Sequence, residues 1–335
     1  MTSKFIFVLG AKRSGTTFFR LLLNASFDIE IPKESHFLMP FFKDPERFST
    51  IEEHNRQEIL SHVLNSGRFS TWDTTEDRIK DIISRIENGS PLSIFIERIY
   101  REEVGKNVLF VGDKTPEYSL YVPEIRRLFP NSPILFLLRD PRDVSDSLAN
   151  RGWEGWTAYH RGRYLRRVLR AAIRTRDDSQ TLIVRYEDII LDKDNTLKNI
   201  ENFLGTGYDR GGVQDYGALE SSITSREKAS GVHKSLFRSP DVNDAWKWRN
   251  KPNEKYYFLE AHCAREMQST GYEPLLKQTG AMKFVMLRFL KLKILQIGVV
   301  FYHIYHCFVP RVIKETMRQN PLYSHVKKWL RATET

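Results

Sequence analysis

The sequence predicts an α/β fold of three layers: a central parallel sheet of about five strands between helices, with a helical insertion and a C-terminal helical tail. Two observations predict it. Five short apolar runs rich in β-branched and aromatic residues recur between residues 4 and 188. Segments with apolar residues at three- and four-residue spacing lie between them. Short runs of this kind with helical patterns between them suit a buried parallel sheet. At 335 residues the chain can bury one sizeable core, with length to spare for an appendage.

The first run, Phe5 to Leu9, is strand length and leads straight into a glycine-rich turn. The others are "FDIEIP" from 27, "NVLFVGDK" from 107, "PILFLLRD" from 133 and "TLIVRYED" from 181. "PEIRRLF" (123–129), "DVSDSLANR" (143–151) and "NTLKNIENFLG" (195–205) have helical spacing, the last ending on glycine. Residues 45–106 read as a polar helical insertion without a strand, from "IEEHNRQEILSHVLNSG" and "TEDRIKDIISRIENG". Alternating strands and helices imply a doubly wound sheet, whose ligands gather outside the carboxyl ends of the strands.

Composition is ordinary for a globular protein, with 41% hydrophobic and 28% charged residues. The two cysteines, Cys263 and Cys307, are too few for a disulfide framework and lack metal-ligand spacing, so both read as structural. The net charge of +10 is concentrated: residues 281–335 hold ten Lys/Arg against Glu315 and Glu334, which is +8 and leaves +2 for the rest. No secretory signal is read ahead of Lys4, so a reducing, cytoplasmic setting is expected.

"KFIFVLGAKRSGTTFFRLLLNAS" carries the first chemistry. Gly10, Gly15 and Thr17 fit the phosphate-loop spacing G-x-x-x-x-G-K-[ST], but Thr16 stands where the lysine belongs. A strand, a tight turn and a helix N-terminus aim backbone N–H groups and the helix dipole at one anion. Lys12 and Arg13 add charge, and Ser14, Thr16 and Thr17 add hydroxyls. The missing lysine argues against γ-phosphoryl transfer. A second anion site is expected in "LLRDPRDVSDSLANR": Arg139 at a strand end, then Ser147 and Arg151 one helical turn apart on one face. Two anion sites at neighbouring strand ends suit a nucleotide phosphorylated on both its 5′ and 3′ oxygens.

"RSGTT" from Arg13 followed by "LRDPRDVSDSL" resembles the sulfotransferases that use 3′-phosphoadenosine 5′-phosphosulfate (PAPS), and this places the fold among P-loop-type folds. The resemblance runs through "VRYEDI" (184–189), "FLG" at 203 and "WKWR" at 246, covering roughly residues 4–275. In motif style it is nearest to glycan and protein-tyrosine sulfotransferases. The domains expected are a sulfotransferase domain over 1–280, with the helical insertion at about 45–106 on its acceptor side, and, from the charge and apolar pattern of the sequence, a basic amphipathic helical tail over 281–335. The resemblance implies PAPS as co-substrate, leaving as 3′-phosphoadenosine 5′-phosphate (PAP), with no metal. The first loop would grip the 5′-phosphosulfate, and Arg139, Ser147 and Arg151 the 3′-phosphate.

The same resemblance implies the catalytic residues. Glu34 in "PKESHFLMPFF" takes the place of the general base, and burial beside Phe37 and Phe41 is expected to raise its pKa. Lys114 in "GDKTPEYS" would stabilise the leaving oxygen, with Arg13 beside it. His36 reads either as a hydrogen-bond partner of acceptor or Glu34, or as a packing residue. Tyr186 reads as a nucleotide contact or as core. Residues 230–249 resemble the loop that closes over the 3′-phosphate, with Lys247 the best candidate within it. That segment departs from the R-K-G-x-x-G-D-W form of cytosolic small-molecule enzymes.

The Glu34 string leans towards carbohydrate hydroxyls as acceptor, and Trp153, Trp156 and Tyr159 are open between sugar platforms and helix packing. The apolar run Ile294 to Val309, short for a spanning helix and set among basic residues, suggests an interfacial helix. A packed helical hairpin is the alternative. The expected partners are therefore a carbohydrate or glycolipid acceptor and an anionic membrane met through 281–318, on its inner face, with a homodimer left open. Nucleic acid is not expected, because the basic charge follows the apolar tail and does not interleave with aromatics along a groove. Two rivals stay open: a P-loop kinase with a divergent loop, and an inactive nucleotide-binding scaffold at a membrane.

Overall fold

A computed structural model describes residues 4–154, 157–209, 241–251 and 256–275. The tail, the division expected at 280, Cys307, Trp156 and most of the 230–249 segment lie outside these residues. Two compact units are formed, Met1–Asp140 with Arg167–Lys247, and Pro141–Arg166 with Trp248–Thr335.

In chain order the elements are β1 (Lys4–Gly10), α1 (Thr16–Ser26), β2 (Ile29–Glu30), α2 (Met39–Lys43), β3 (Thr50–Ile51), α3 (Glu53–Leu64), α4 (Glu76–Ser84), β4 (Ser90–Pro91) and α5 (Leu92–Val104). They continue as β5 (Phe110–Asp113), α6 (Val122–Leu128), β6 (Ile134–Leu138), α7 (Pro141–Arg151), α8 (Ala158–Arg174), β7 (Thr181–Arg185), α9 (Tyr186–Leu191), α10 (Lys193–Leu204) and α11 (Tyr257–Ser269).

The five expected strands form one sheet in the order β2-β5-β1-β6-β7, every pair parallel. β1 runs through the centre and its side chains divide between the two faces. Ile6 and Val8 join Phe18, Phe19 and Leu22 of α1 and Leu197 and Ile200 of α10 in one buried cluster. Phe5 and Phe7 turn the other way, onto Phe129 and, for Phe5, Tyr100 of α5. Apolar burial on both faces, roughly 1.5–3 kcal/mol for each fully buried large side chain, explains why β1 reads as an unbroken apolar run. Gly112 lets β5 close on β1: a Cβ there would lie 2.1 Å from the Ile6 carbonyl oxygen.

The expectation of an insertion without strands needs correction. Thr50–Ile51 pairs antiparallel with Ser90–Pro91, closing the base of the α3–α4 segment. A two-residue ladder is too short to show period-2 alternation, and Pro91 weakens the signal further. β2 is also shorter than its apolar run, since it pairs only with β5. α10 ends where expected, on Gly205 in the left-handed conformation at φ 65°.

Within the second unit, α7 is held by a charged buried face. Arg142 pairs with Glu260 of α11 at 3.3 Å, donates to the Glu273 carbonyl at 3.1 Å and lies 3.5 Å from the Trp248 ring centroid. Asp143 accepts from the Trp248 backbone N–H, and Asp146 accepts from Lys251 and from the Tyr256 hydroxyl. Cys263 is buried in α11, its thiol directed at the Leu259 carbonyl.

Candidate active site

β1 has β5 on one side and β6 on the other, so the turn after Gly10 sits where the connections of the sheet reverse direction, the usual ligand position in doubly wound sheets. Ser119 pins the start of this turn, accepting from the Gly10 N–H at 2.7 Å and donating to its carbonyl at 2.8 Å. Arg13 (φ 69°) and Gly15 (φ 99°) take left-handed conformations before α1 begins at Thr16. No acidic residue lies in the first turn of α1, so the helix dipole there favours an anion. Gly15 is required for a second reason. A Cβ there would lie 2.7 Å from the Tyr186 ring.

The loop side chains divide by role. Ser14 is buried, and its hydroxyl donates to the Ala11 carbonyl at 2.8 Å, bracing the turn. Lys12 pairs with Glu117 at 3.0 Å. Thr16 is buried, while the Thr17 hydroxyl accepts from Lys114 at 3.3 Å.

Glu34 follows the carboxyl end of β2 on a loop fixed from α1. Arg20 donates to the Pro32 carbonyl at 2.9 Å, and Asn24 bonds both backbone groups of Ile31. Lys114 follows the carboxyl end of β5, its side chain only 2% exposed. The two meet: Lys114 Nζ lies 2.5 Å from Glu34 Oε1, and His36 Nε2 lies 3.3 Å from Glu34 Oε2. His36 has φ 59°, a left-handed conformation that costs a non-glycine residue energy and turns it back over the carboxylate.

The pKa expected for Glu34 is corrected by this geometry. Phe37 and Phe41 are buried as expected. Burial does act to raise the Glu34 pKa, but the Lys114 charge and the hydrogen bonds of His36 and Lys114 outweigh it and hold the carboxyl well below the ordinary range.

Arg139, after β6, lies 4.2 Å from the centroid of the Tyr186 ring and donates to the Asp244 carbonyl at 3.1 Å. Tyr186, which begins α9, also meets Phe18 edge-on at 6.0 Å. Lys247 pairs with the Asp244 carboxylate at 2.7 Å. The loop after β1, Glu34, Lys114, Arg139 and Tyr186 thus all stand at carboxyl ends of strands of one sheet. In the second unit Ser147 is half-buried and Arg151 exposed, one turn apart on α7. Trp153 is exposed.

Sequence reasoning missed the buried group behind Glu34 and Lys114. Ser35 donates to Asp113 at 2.9 Å, and Tyr100 donates to the same carboxylate oxygen. Tyr118 contacts Ser35 at 3.1 Å and accepts from the Leu38 N–H at 3.0 Å. Ser35 and Asp113 adjoin the chosen residues in sequence, but a bond between positions 78 residues apart leaves no local signal.

These features define an α/β protein with a glycine-bearing turn at a helix N-terminus and a lysine–carboxylate pair at its strand ends. The profile of the Sulfotransferase family matches residues 6–210, and the chain belongs to that family. It is 27% identical over 214 residues, 61% of its length, to the "Putative protein-tyrosine sulfotransferase" of Caenorhabditis briggsae. It is 27% identical over 145 residues, 42% of its length, to "Nodulation protein NoeE" of Sinorhizobium fredii. The matched segments cover 66% and 30% of those proteins, so the chain spans less than two thirds of either. Among solved structures, the sulfotransferase domain from the curacin biosynthetic pathway is similar in fold, with a TM-score of 0.53 at 21% identity over 81% of this chain and 99% of that one.

Proposed function

We propose that the chain is a PAPS-dependent sulfotransferase that transfers a sulfuryl group to a hydroxyl, with a carbohydrate or glycolipid as acceptor. The observation that carries this reading is the Glu34–Lys114 pair beside Thr17. It brings a proton acceptor and a cation to the loop suited to a phosphosulfate. The residues present fit such a donor: an acid-free helix N-terminus, Lys12 and Arg13 in the loop, and Arg139 stacked on Tyr186. The donor supplies an activated sulfuryl group and an anionic leaving phosphate. Arg13, Thr16 and Thr17 hold its 5′ end, and Arg139, Ser147, Arg151 and Lys247 are assigned to its 3′-phosphate by family resemblance.

The chemistry follows from the residues. Lys114 donates to the oxygen on which charge develops, and in doing so slackens its hold on Glu34. Glu34, left with His36, gains basicity and takes the proton of the attacking hydroxyl at its carboxylate. His36 orients that carboxylate. The acceptor class rests on the likeness of the "KESHF" string to glycan sulfotransferases, and a peripheral site on the inner face of a membrane rests on the charge and apolar run of 281–318.

Thermal unfolding with PAP, against ADP with and without magnesium, tests the donor reading. A ligand at about 100 times its Kd stabilises the fold by about 2.7 kcal/mol. A shift with PAP alone, independent of magnesium, supports the proposal. A shift requiring ADP and magnesium would turn the assignment to a kinase. A truncation after Gly280 that keeps PAP binding yet still sediments with anionic vesicles would overturn the membrane assignment.

A further inference from the structure

Ser35 and Asp113 are buried polar residues that no step above uses. Ser35 follows Glu34 and is fully buried, and Asp113 precedes Lys114 and is 1% exposed. Their 2.9 Å hydrogen bond is a direct side-chain tie between the Glu34 loop and the end of β5. The protons of the cluster can be assigned in order. Ser35 has one hydroxyl hydrogen, and it goes to Asp113. The contact with Tyr118 is then a donation from Tyr118 to Ser35. Tyr118 in turn accepts from the Leu38 N–H, and Tyr100 gives Asp113 its second donor. Burial and the Asp113 charge push both tyrosines well above their usual range, so both remain donors.

We infer that Ser35 and Asp113 are positioning residues for sulfuryl transfer: their hydrogen bond sets the distance between Glu34 and Lys114. Each neighbours one member of the pair, so the bond fixes the backbone on both sides of the 2.5 Å contact. The surroundings point the same way. The Ser66 hydroxyl donates to the Ser35 carbonyl at 3.0 Å, and the Leu38 N–H is anchored on Tyr118, so residues 35–38 are held from three directions. Asp113 Oδ1 is buried without a hydrogen-bond partner, so the carboxylate is held through Oδ2 alone, and losing a bond there would strand a further buried group and carry a desolvation penalty. A lysine and a carboxylate that must separate and re-form during turnover need that fixed frame.

This rests on the proposed function, and its test separates the two. Turnover and PAP affinity are measured for wild type, Ser35→Ala, Glu34→Gln and the double variant. Wild type that neither binds PAP nor transfers sulfate would overturn the function itself. With the function intact, Ser35→Ala should lower kcat about tenfold or more while the Kd for PAP stays within about threefold. The intact Kd reports a folded donor loop. In the Glu34→Gln background the same Ser35→Ala change should lower residual turnover less than about twofold, because the serine acts through the carboxylate already lost. An equal loss in both backgrounds would mark Ser35 as merely structural and overturn the inference. So would an unchanged kcat in the single variant.

Discussion

The Lys114 ammonium, almost wholly buried, lies 2.5 Å from the Glu34 carboxylate, so the cation and the base of the proposed reaction neutralise one another before any donor binds. An incoming phosphosulfate has to compete with Glu34 for Lys114.

That competition predicts an effect of unusual sign. Glu34→Gln should cut turnover by about 10² or more, as loss of a general base does. It should also tighten PAP binding by about fivefold or more, the low end of ordinary coupling between sites, because Lys114 is released to the ligand. Isothermal titration with PAP decides this. Weaker binding in Glu34→Gln would mean the carboxylate helps to hold the donor.

Two carboxylates should give opposite slopes of stability against pH. The folded pKa of Glu34 is depressed, so its contribution is present above the ordinary value of about 4.5 and fades as pH falls below it. The deficit of Glu34→Gln relative to wild type should therefore shrink on acidification. Asp113 is the reverse: burial raises its pKa from 3.8 against the hydrogen bonds of Tyr100 and Ser35. Its favourable contribution is present below 3.8 and lost as pH rises through the raised value. Asp113→Asn should therefore gain on wild type from acid towards neutral pH. Urea unfolding at several pH values between about 3.5 and 7 checks both signs.

Gly15→Ala should disturb the donor loop through Tyr186. The added Cβ would sit 2.7 Å from the ring, at φ 99°, where alanine is also strained. Displacing the ring would disturb the Arg139 stack upon it. PAP affinity should fall about tenfold or more, equivalent to about 1.4 kcal/mol. Adding Tyr186→Ala removes the clash, though not the strain, and should restore the melting temperature in part. Failure of the second change to restore any stability would show that the ring is not the obstacle.

The fold was legible because its determinants are local. Strands buried on both faces, such as β1 and β6, require unbroken apolar runs, and the turn before α1 requires glycine at Gly15, so both leave marks in consecutive residues. The strand ends carrying Glu34, Lys114, Arg139 and Tyr186 follow from that alternation once the sheet is parallel. The sign of the Glu34 shift was not legible. It depends on a lysine 80 residues away in sequence whose ammonium reaches the carboxylate at 2.5 Å. Nor was the Ser35–Asp113 tie, since a serine and an aspartate inside short polar strings look the same in sequence whether solvated or buried. The two-residue β3–β4 ladder fell below the length at which periodicity can be read.

The buried face of α7 allows a prediction about the second motif that does not involve the donor. Arg142 and Glu260 are almost completely buried, with 3% and 0% of their side chains exposed. Removing one partner from such a pair strands the other charge and typically costs about 3–5 kcal/mol, whereas replacing both by apolar residues is often close to neutral. Arg142→Met also gives up the bond to the Glu273 carbonyl and the contact with Trp248. For a chain of this size the single variant should melt roughly 5–10 °C lower. Arg142→Met combined with Glu260→Met should recover a good part of that loss. A double variant no more stable than Arg142→Met would show that the arginine serves α7 through Trp248 and the Glu273 carbonyl instead of through its ion pair.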